Sequence, residues 1–236
     1  MRTALVGGGA SGIGRATALA LTRAGVAVTL YGRDEARLEA AAGELGAAYV
    51  AGDLADPSAR LLADAAERAD IVVLNAGGPK PGRVLEVADA DWAYGVQMLL
   101  LGPLRLARAA LPRMADRGFG RVVFVTSTAV RRPEPDLAVS VILRSAATAA
   151  AKLLAAESAA RGVTVNCVAP GATDTARRRE VLAGRPGTDE LATIPAGRVA
   201  EPAEIAAAIG FLASEGAGYI NGTVLTVDGG RTEAIW

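Results

Sequence analysis

Short apolar segments rich in Val, Ile and Leu alternate along this chain with longer Ala-rich stretches that carry Arg and Glu. The apolar segments are nearly continuous, which is typical of strands buried on both faces of a parallel sheet, and right-handed crossovers then place helices on both faces. The pattern predicts one domain over residues 1–236, a doubly wound α/β Rossmann fold with about seven parallel strands. The predicted strands are residues 3–6, 26–31, 48–50, 70–74, 121–126, 163–168 and 223–227. The predicted helices are residues 12–24, 34–45, 57–68, 91–117, 137–161 and 202–214.

The composition favours a soluble, cytoplasmic protein and excludes several kinds of site. Lys+Arg and Asp+Glu are 25 each, so the formal net charge is zero and no nucleic-acid partner is expected. The chain has no His and a single Cys, Cys167, which excludes catalytic triads with His, His-ligated metals and disulfide frameworks. We therefore expect no metal. No apolar run reaches about 18 residues, and the run at residues 3–6 is too short for a signal peptide, so no membrane partner is expected.

A glycine-rich turn joins the first predicted strand to the first predicted helix. Gly8, Gly12 and Gly14 follow the spacing G-x-x-x-G-x-G. Glycines at such a turn allow a tight bend and let the pyrophosphate of a dinucleotide approach the backbone N–H groups at the helix start. A glycine trio alone is weak evidence, because a left-handed turn also favours glycine. The strand before it and the helix after it point to a dinucleotide site.

The residue after the second predicted strand indicates which dinucleotide binds. A carboxylate there would hold the ribose 2′-hydroxyl of NAD(H), whereas this chain has Arg33, which can accept the 2′-phosphate of NADP(H). Arg15, just after the glycines, can add a second positive charge. Both arginines can also be ordinary surface residues. The sequence favours NADP(H) over NAD(H).

Several ordered motifs resemble those of the short-chain dehydrogenase/reductase superfamily. They are GGGASGIG at residues 7–14, GDL at 52–54, LNAG at 74–77, VNCVAPG at 165–171 and VDGG at 227–230. The resemblance covers nearly the whole chain and implies a homodimer or homotetramer built through the two long helices at residues 91–117 and 137–161. It also implies cofactor contacts, which on this chain are Gly8, Ser11, Gly12, Ile13, Arg33, Asp53, Leu54, Asn75, Ala76, Gly77, Pro170, Gly171 and Thr173.

The same resemblance fails at the catalytic residues. The superfamily uses an Asn-Ser-Tyr-Lys tetrad, and its four positions correspond here to Leu99, Ser127, Ser140 and Arg144. Only the Ser is kept, and no Tyr occurs between Tyr94 and Tyr219 that a shift of register could recruit. The S-x-x-x-R pattern resembles an atypical branch of β-ketoacyl-reductase-like members. We take Ser127, Ser140 and Arg144 as the candidate catalytic residues.

Three functions stay open for such a site. Arg144 can bind ribose hydroxyls, a carboxylate or a developing oxyanion, but a guanidinium is not a practical proton donor. The favoured function is an NADPH-dependent reductase of a carbonyl, imine or conjugated double bond of a small molecule that needs little protonation by the enzyme. The alternatives are an NADP(H)-binding isomerase or dehydratase, and a non-catalytic scaffold.

Two long stretches between predicted elements are read as irregular loops, residues 131–136 and residues 173–199. Both follow strands, at the edge where such sheets bind ligands, and so are candidates for a substrate wall and a lid or for plain surface loops. The arginines at 177–179 either grip an acidic substrate or face solvent. Cys167 is expected in the core, and Tyr94 is expected to pack on its helix or, as the alternative, to donate a proton in the cleft.

Overall fold

The computed structural model describes residues 1–183 and 191–233, and it forms one α/β unit around a parallel sheet. The sheet order is β3-β2-β1-β4-β5-β6-β7, and every pairing is parallel. The predicted doubly wound sheet of seven strands is confirmed. The strands are β1 (Thr3–Gly7), β2 (Ala27–Gly32), β3 (Ala48–Ala51), β4 (Ile71–Leu74), β5 (Gly120–Val125), β6 (Val163–Pro170) and β7 (Val224–Val227).

Eight α-helices are found in the described residues. They are α1 (Gly12–Arg23), α2 (Glu35–Leu45), α3 (Arg60–Arg68), α4 (Asp89–Gly95), α5 (Gly102–Arg117), α6 (Ala138–Ser158), α7 (Ala176–Ala183) and α8 (Pro202–Ala213).

The helix predicted at residues 91–117 is not one regular helix. It begins earlier, at Asp89, and a π-helical stretch, Val96–Leu101, separates α4 from α5. Pro103 is the second residue after this stretch and has no N–H to donate to the turn before it, which disfavours a regular α-helical bond there. At Gly102 a Cβ would lie 2.3 Å from the carbonyl oxygen of Leu54, so the helix runs against the loop after β3.

Successive residues of each strand point to opposite faces of the sheet, and each face has its own apolar core. Leu5, Val72 and Val122 pack with residues of α3, α5 and α6. Val6 and Val73 pack on the other face with residues of α1, α2 and α8. The near-continuous apolar strands of the sequence are therefore explained by burial on both faces.

Helix α6 is the longest helix that the structure describes, and most of its residues are apolar. The segment Ala138–Arg161 is long and apolar enough to cross a membrane by length and composition. In this fold one side of it packs on the sheet through residues such as Ala147, Ala151 and Ala155. It is a covering helix of the sheet and not a membrane span.

The stretch at residues 173–199 is less irregular than predicted. Helix α7 covers Ala176–Ala183, and Leu191–Thr193 forms a single 3-10 turn. The three arginines, read as a charge run, stand in a segment that also contains Ala, Glu and Leu, all good helix formers. The predicted lid sequence GRPGTDE, residues 184–190, lies outside the described residues.

The sheet places its ligand-binding edge at the carboxyl ends of β1 and β4. Strand β1 lies between β2 and β4, so the chain leaves β1 towards one side and resumes on the other. At such a switch point the connections diverge and open a crevice at the carboxyl edge. The glycine-rich turn after β1 and the segment at residues 75–77 after β4 border this crevice.

Candidate functional site: a groove at the carboxyl edge of the sheet

The glycine-rich turn adopts a backbone that other residues would not fit. Gly8 and Gly12 have φ angles of +62° and +51°, in the left-handed region that favours glycine. A Cβ at Gly14 would lie 2.3 Å from the carbonyl oxygen of Gly8 and 2.4 Å from that of Gly7. Helix α1 therefore begins pressed against the turn, with its first N–H groups at the crevice, where an anion is favoured.

Two hydrogen bonds fix this turn to its neighbouring strands. The N–H of Gly8 donates to the carbonyl of Tyr31 at 2.9 Å, and the side-chain amide of Asn75 donates to the carbonyl of Gly7 at 3.0 Å. Asn75 thus ties the end of β4 to the end of β1. The bond gives this residue of the LNAG motif a structural task at the floor of the groove.

One end of the groove is a cavity of about 220 Å³, here called the Arg33 cavity. The predicted cofactor residues Arg33, Asp53 and Leu54 line it, together with Gly8 and Ser11. The Asp53 carboxylate accepts the N–H of Ala55 at 2.9 Å, which holds the turn after β3 in place.

Two arginine assignments change at this end. Arg15, considered as a second cation for the cofactor, pairs with Glu44 and does not line the Arg33 cavity. Arg37, which sequence reasoning missed, does line it. Arg37 lies one turn into α2 from Arg33 and Asp34, so the short spacing after β2 was the signal that could have found it.

Tyr94 lies beside Arg33 and does not line the Arg144 cavity, where the alternative role of a proton donor would place it. Its hydroxyl accepts a hydrogen bond from Arg33 Nη1 at 2.7 Å, and its side chain is partly exposed. It therefore contacts the arginine at the Arg33 cavity and does not stand in for the missing proton donor.

The other end of the groove is a cavity of about 350 Å³, here called the Arg144 cavity. It contains the candidate catalytic residues and the remaining predicted cofactor residues. These are Ser127, Ser140, Arg144, Gly12, Ile13, Pro170, Gly171 and Thr173. Gly8, Ser11, Asn75, Ala76 and Gly77 border both cavities, so the two form one continuous groove.

The two serines hold their hydroxyl groups differently. Ser127 Oγ accepts the N–H of Ala129 at 3.1 Å, as the cap of a short 3-10 turn, and this bond leaves its proton free to donate. Ser140 Oγ accepts from Arg144 Nε at 3.2 Å. Both oxygens therefore act as acceptors toward the protein and can donate into the cavity.

Arg144 is the central cation of this cavity. Its Nη1 donates to the carbonyls of Val125 at 2.6 Å and Thr126 at 3.2 Å, at the end of β5. Its Nη2 makes only longer contacts, 3.4 Å each, with the carbonyls of Ala76 and Gly77. Burial of the guanidinium, and secondarily the positive charge of Arg177, lower the pKa of Arg144 to about 10. The residue is still a cation at neutral pH.

Other charged side chains complete the wall. Arg177, Arg178 and Arg231 line the Arg144 cavity together with the carboxylate of Glu134. Arg231 Nη1 lies 3.5 Å from Glu134 Oε1, and the guanidinium of Arg177 lies over Gly78 with a hydrogen bond to the carbonyl of Pro79. The arginine run is therefore split, because Arg179 pairs with Asp174 at 2.6 Å and does not line the cavity.

Comparison with known proteins assigns the chain to a family. Residues 8–232 match the family model described as enoyl-(acyl carrier protein) reductase. A 3-oxoacyl-(acyl-carrier-protein) reductase of Haemophilus influenzae is 35% identical, over 97% of this chain and 97% of that protein. The chain belongs to the short-chain dehydrogenase/reductase family. The predicted family and the oxidoreductase class are confirmed.

Solved structures of similar proteins superpose over nearly the whole chain. A protein titled as a member of this family has a TM-score of 0.93, 36% identity and coverage of 99% of this chain and 98% of its own. YwfH, titled an NADPH dependent reductase involved in bacilysin biosynthesis, has a TM-score of 0.92, 26% identity and 99% coverage of both chains. A 3-oxoacyl (acyl-carrier-protein) reductase from Agrobacterium tumefaciens C58 with NADP bound has a TM-score of 0.89, 30% identity and coverage of 97% and 93%.

Leu99, which the resemblance matched to the Asn position of the tetrad, lies in the core. It is 3% exposed and packs with Met98, Val139 and Leu143 between the π-helical stretch and α6. Its apolar side chain has nothing to donate to a substrate or water. Of the four tetrad positions, the three at Ser127, Ser140 and Arg144 meet in the cavity, and their catalytic roles stay predictions.

Cys167 lies in β6 and is 1% exposed, as predicted for a core residue. Burial raises the pKa of its thiol to about 12, with a smaller opposing effect of a hydrogen bond from Thr148, so it is not a thiolate nucleophile at neutral pH. Within residues 1–183 and 191–233, no group of three His, Cys, Asp or Glu residues is arranged to hold a metal ion.

Proposed function

We propose that this protein is an NADP(H)-dependent oxidoreductase that reduces a carbonyl, imine or conjugated double bond of a small molecule. The observation that carries the proposal is the continuous groove, which joins a glycine cradle and two arginines at one end to Ser127, Ser140 and Arg144 at the other. A binding protein without a reaction has no need for three hydrogen-bonding side chains that converge where the groove ends.

The groove fits NADP(H). The cradle at Gly8 and Gly12 has no room for side chains where backbone N–H groups would meet a pyrophosphate. Arg33 and Arg37 lie at the Arg33 cavity, where their charge matches a 2′-phosphate. Asp34 also lines this cavity, but its carboxylate caps α2 and accepts the N–H of Arg37 at 3.1 Å. The NADP(H) named in the titles of two solved relatives agrees with this choice.

When bound, NADPH supplies a hydride and becomes NADP⁺. Reduction of C=O, C=N or a polarised C=C would place negative charge on oxygen or nitrogen, or on the conjugated carbonyl oxygen. Ser127 and Ser140 donate hydrogen bonds to that atom, and the positive charge of Arg144 stabilises it. No Tyr, Lys or His lines the described part of the cavity, so the proton comes from water. A conjugated double bond suits this site, because its enolate can be protonated after hydride transfer.

The homodimer or homotetramer and the cytoplasmic location are part of the proposal. Leu101, Ile142 and Leu153 are exposed large apolar residues on the π-helical stretch and on α6. Exposed apolar side chains on these two long helical segments support subunit contacts there.

The first test is calorimetric titration of the protein with NADPH and, in parallel, NADH. We expect micromolar NADPH binding and much weaker NADH binding. Arg33→Ala should weaken NADPH binding about tenfold or more and leave NADH binding unchanged, because only NADPH carries the phosphate. Arg15→Ala, which removes a similar charge outside the cavity, is the matched control and should change neither.

Equal losses for both nucleotides in Arg33→Ala would refute the role of Arg33. Absence of binding of either nucleotide to the unmodified protein would refute the proposed function and favour the scaffold. If NADPH binds, single-turnover oxidation of NADPH with ketones, enones and imines identifies the reducible bond. Binding without oxidation by any of the three classes would favour the isomerase or dehydratase.

A further inference from the structure

The Arg144 cavity brings arginines together at the place where the reacting bond would lie. Within residues 1–183 and 191–233, its lining includes four arginines, from α6, α7 and the C-terminal segment, and one carboxylate, that of Glu134. That carboxylate is next to Arg231, at 3.5 Å, and thus at one side of the wall. The lining is not a surface charge run, because Arg231 is only 17% exposed and Arg177 30%.

Arg144 has no anionic partner. Within residues 1–183 and 191–233, no carboxylate lies within 4.0 Å of its guanidinium, and its acceptors are four backbone carbonyls and Ser140 Oγ. Carbonyl oxygens solvate the group but do not neutralise it. An uncompensated cation removed from water is costly, so a site of this kind is stabilised by a bound anion.

The geometry shows which part of Arg144 is available. Nη1 is held by two carbonyls at the end of β5, but Nη2 has only the two 3.4 Å contacts with Ala76 and Gly77. Bonds of this length are weak and can be exchanged for a short charge-assisted bond of about 2.7–2.9 Å. Nη2 is therefore the donor that an anion in the cavity would take.

Arg177 adds a second cation to the same space. It is near enough to Arg144 to lower the pKa of that residue, and like charges held together need a counter-charge. Its own partner Glu180, one turn further on α7 at 2.9 Å, is 67% exposed. An ion pair this open is weak and leaves Arg177 able to bind a ligand anion.

From this arrangement we infer that the substrate bears a carboxylate close to the bond that is reduced, and that Arg144 and Arg177 bind it. The inference rests on the proposed function and names the substrate class of that site. The planar guanidinium fork matches a carboxylate, and the cavity holds both the anion and the reacting carbon. In a carrier-bound thioester the phosphate is separated from the acyl group by the long pantetheine arm, so it would not lie beside Arg144.

The test compares a carboxylate with its uncharged ester. Levulinate and methyl levulinate have the same ketone and differ in the charge. Each is titrated into the protein saturated with NADP⁺, and binding is measured by calorimetry. We expect levulinate to bind about tenfold or more tightly than the ester, the value of a charge-assisted contact. Inorganic phosphate, added as a competitor, is expected to be the weaker ligand; phosphate that displaces levulinate at equal concentration would overturn the carboxylate assignment.

Two variants of the same helix assign the contact. Arg177→Gln should abolish the preference for the acid, whereas Arg179→Gln, which removes a charge outside the cavity, should keep it. Both positions lie on the short helix α7, away from the sheet core, so neither variant threatens the fold. An acid and an ester that bind equally, or no binding of either, would overturn the inference. So would a preference retained in Arg177→Gln and lost in Arg179→Gln.

The same pair is also titrated into the protein without NADP⁺. A preference for levulinate there, with no NADPH binding in the earlier titration, would leave the anion site standing and remove the proposed reductase function. NADPH binding with no preference for the acid would do the reverse. The two proposals can therefore fail separately.

Discussion

The two ends of the groove are built by different means. At the Arg33 end and along the phosphate turn, the shape comes from backbone: left-handed glycines, a helix start pressed on the turn, and the bond from Asn75 to Gly7. At the Arg144 end, the proposed chemistry depends on the side chains of Ser127, Ser140 and Arg144. Backbone geometry tolerates almost no substitution, whereas a side chain can be replaced while the fold persists. The family fold is therefore expected to constrain the Arg33 end more than the Arg144 end.

The same contrast appears in how each end satisfies charge. The arginines of the Arg33 end stand at a partly open cavity, where a ligand phosphate can meet them. Arg144 is desolvated and bound to carbonyls of β5 and of the segment after β4. Arg144 therefore stabilises the fold through its Nη1 hydrogen bonds, and its Nη2 faces the cavity where a ligand would bind. Substitutions at the two ends should separate binding from stability.

The largest loss of stability and of cofactor binding is expected from Gly14→Ala, which changes the glycine-rich turn. The new Cβ would lie 2.3 Å from the carbonyl of Gly8, so the turn must move. We expect the free energy of unfolding to fall by about 3 kcal/mol and NADPH binding to be lost. Chemical denaturation and calorimetry measure the two quantities.

Gly43→Ala is the matched control for that substitution. Gly43 lies inside α2 with no atom within 4 Å of its added Cβ, so the change should stabilise the protein by about 0.5–1 kcal/mol. A Gly14→Ala protein with normal NADPH affinity would show that the turn is not the cofactor cradle and would remove the contrast between the ends.

The next effect is expected from Arg144→Leu at the side-chain-built end. It leaves the carbonyls of Val125 and Thr126 without their donor, which should lower the free energy of unfolding by about 2 kcal/mol. It should also abolish the tighter binding of levulinate and slow any NADPH oxidation, while the affinity for NADPH, set mainly at the other end, changes little. Denaturation and titration of one preparation give both results.

Arg117→Leu separates the two roles of Arg144. Arg117 also donates to backbone carbonyls, those of Glu67 and Ala69, but it lies at the amino edge of the sheet beside Asp70. The Arg117→Leu variant should lose a similar amount of unfolding free energy and should bind NADPH and levulinate as the unmodified protein does. Unchanged binding and rate in Arg144→Leu would make Arg144 a purely structural residue.

The smallest effect is expected outside the groove, at the pair of Arg198 and Glu204. Hydrogen bonds from Arg198, and next the N–H of Glu201, lower the pKa of Glu204 to about 2 from an ordinary 4.5. A folded pKa below the unfolded one means that the pair stabilises the fold above about pH 4.5 and loses this effect as the pH falls towards 2.

Glu204→Gln should therefore flatten the fall of stability between these two pH values, as followed by circular dichroism. Arg198→Gln should act the same way, and the double variant should add little, because the two side chains share one interaction. Acid sensitivity equal to that of the unmodified protein would place the titrating group elsewhere. The comparison of the two ends would not be affected.

The sequence predicted the strands well because their signal is local and strong. Each is an apolar run between turns. The predicted bounds of β1, β4 and β6 differ from those in the structure by only one or two residues. The glycine-rich turn could be predicted because its backbone requires glycine at several positions, and glycines at a fixed spacing are visible in the sequence. The family resemblance matched Leu99 to the Asn position of the tetrad, and its burial in the core was seen only in the folded chain.

Other features needed the folded chain. The π-helical stretch Val96–Leu101 depends on the close approach of Gly102 to Leu54, a contact across 48 positions of sequence. Helix α7 was not predicted, because its three consecutive arginines were interpreted as a solvent-exposed charge run. The position of Arg177 in the Arg144 cavity follows from where α7 packs, so neither composition nor spacing assigns it.

The fixed cation at Arg144 has a consequence for how the protein responds to its surroundings. Its cavity is lined by arginines and one carboxylate in the part of the chain that the structure describes, and the chain has no His. Burial lowers the pKa of Arg144 only to about 10, so its guanidinium keeps its charge throughout the range near neutral pH. Acidification or alkalinisation of a cell would leave this charge in place. The attraction of the cavity for an anion would then not depend on the proton concentration around it.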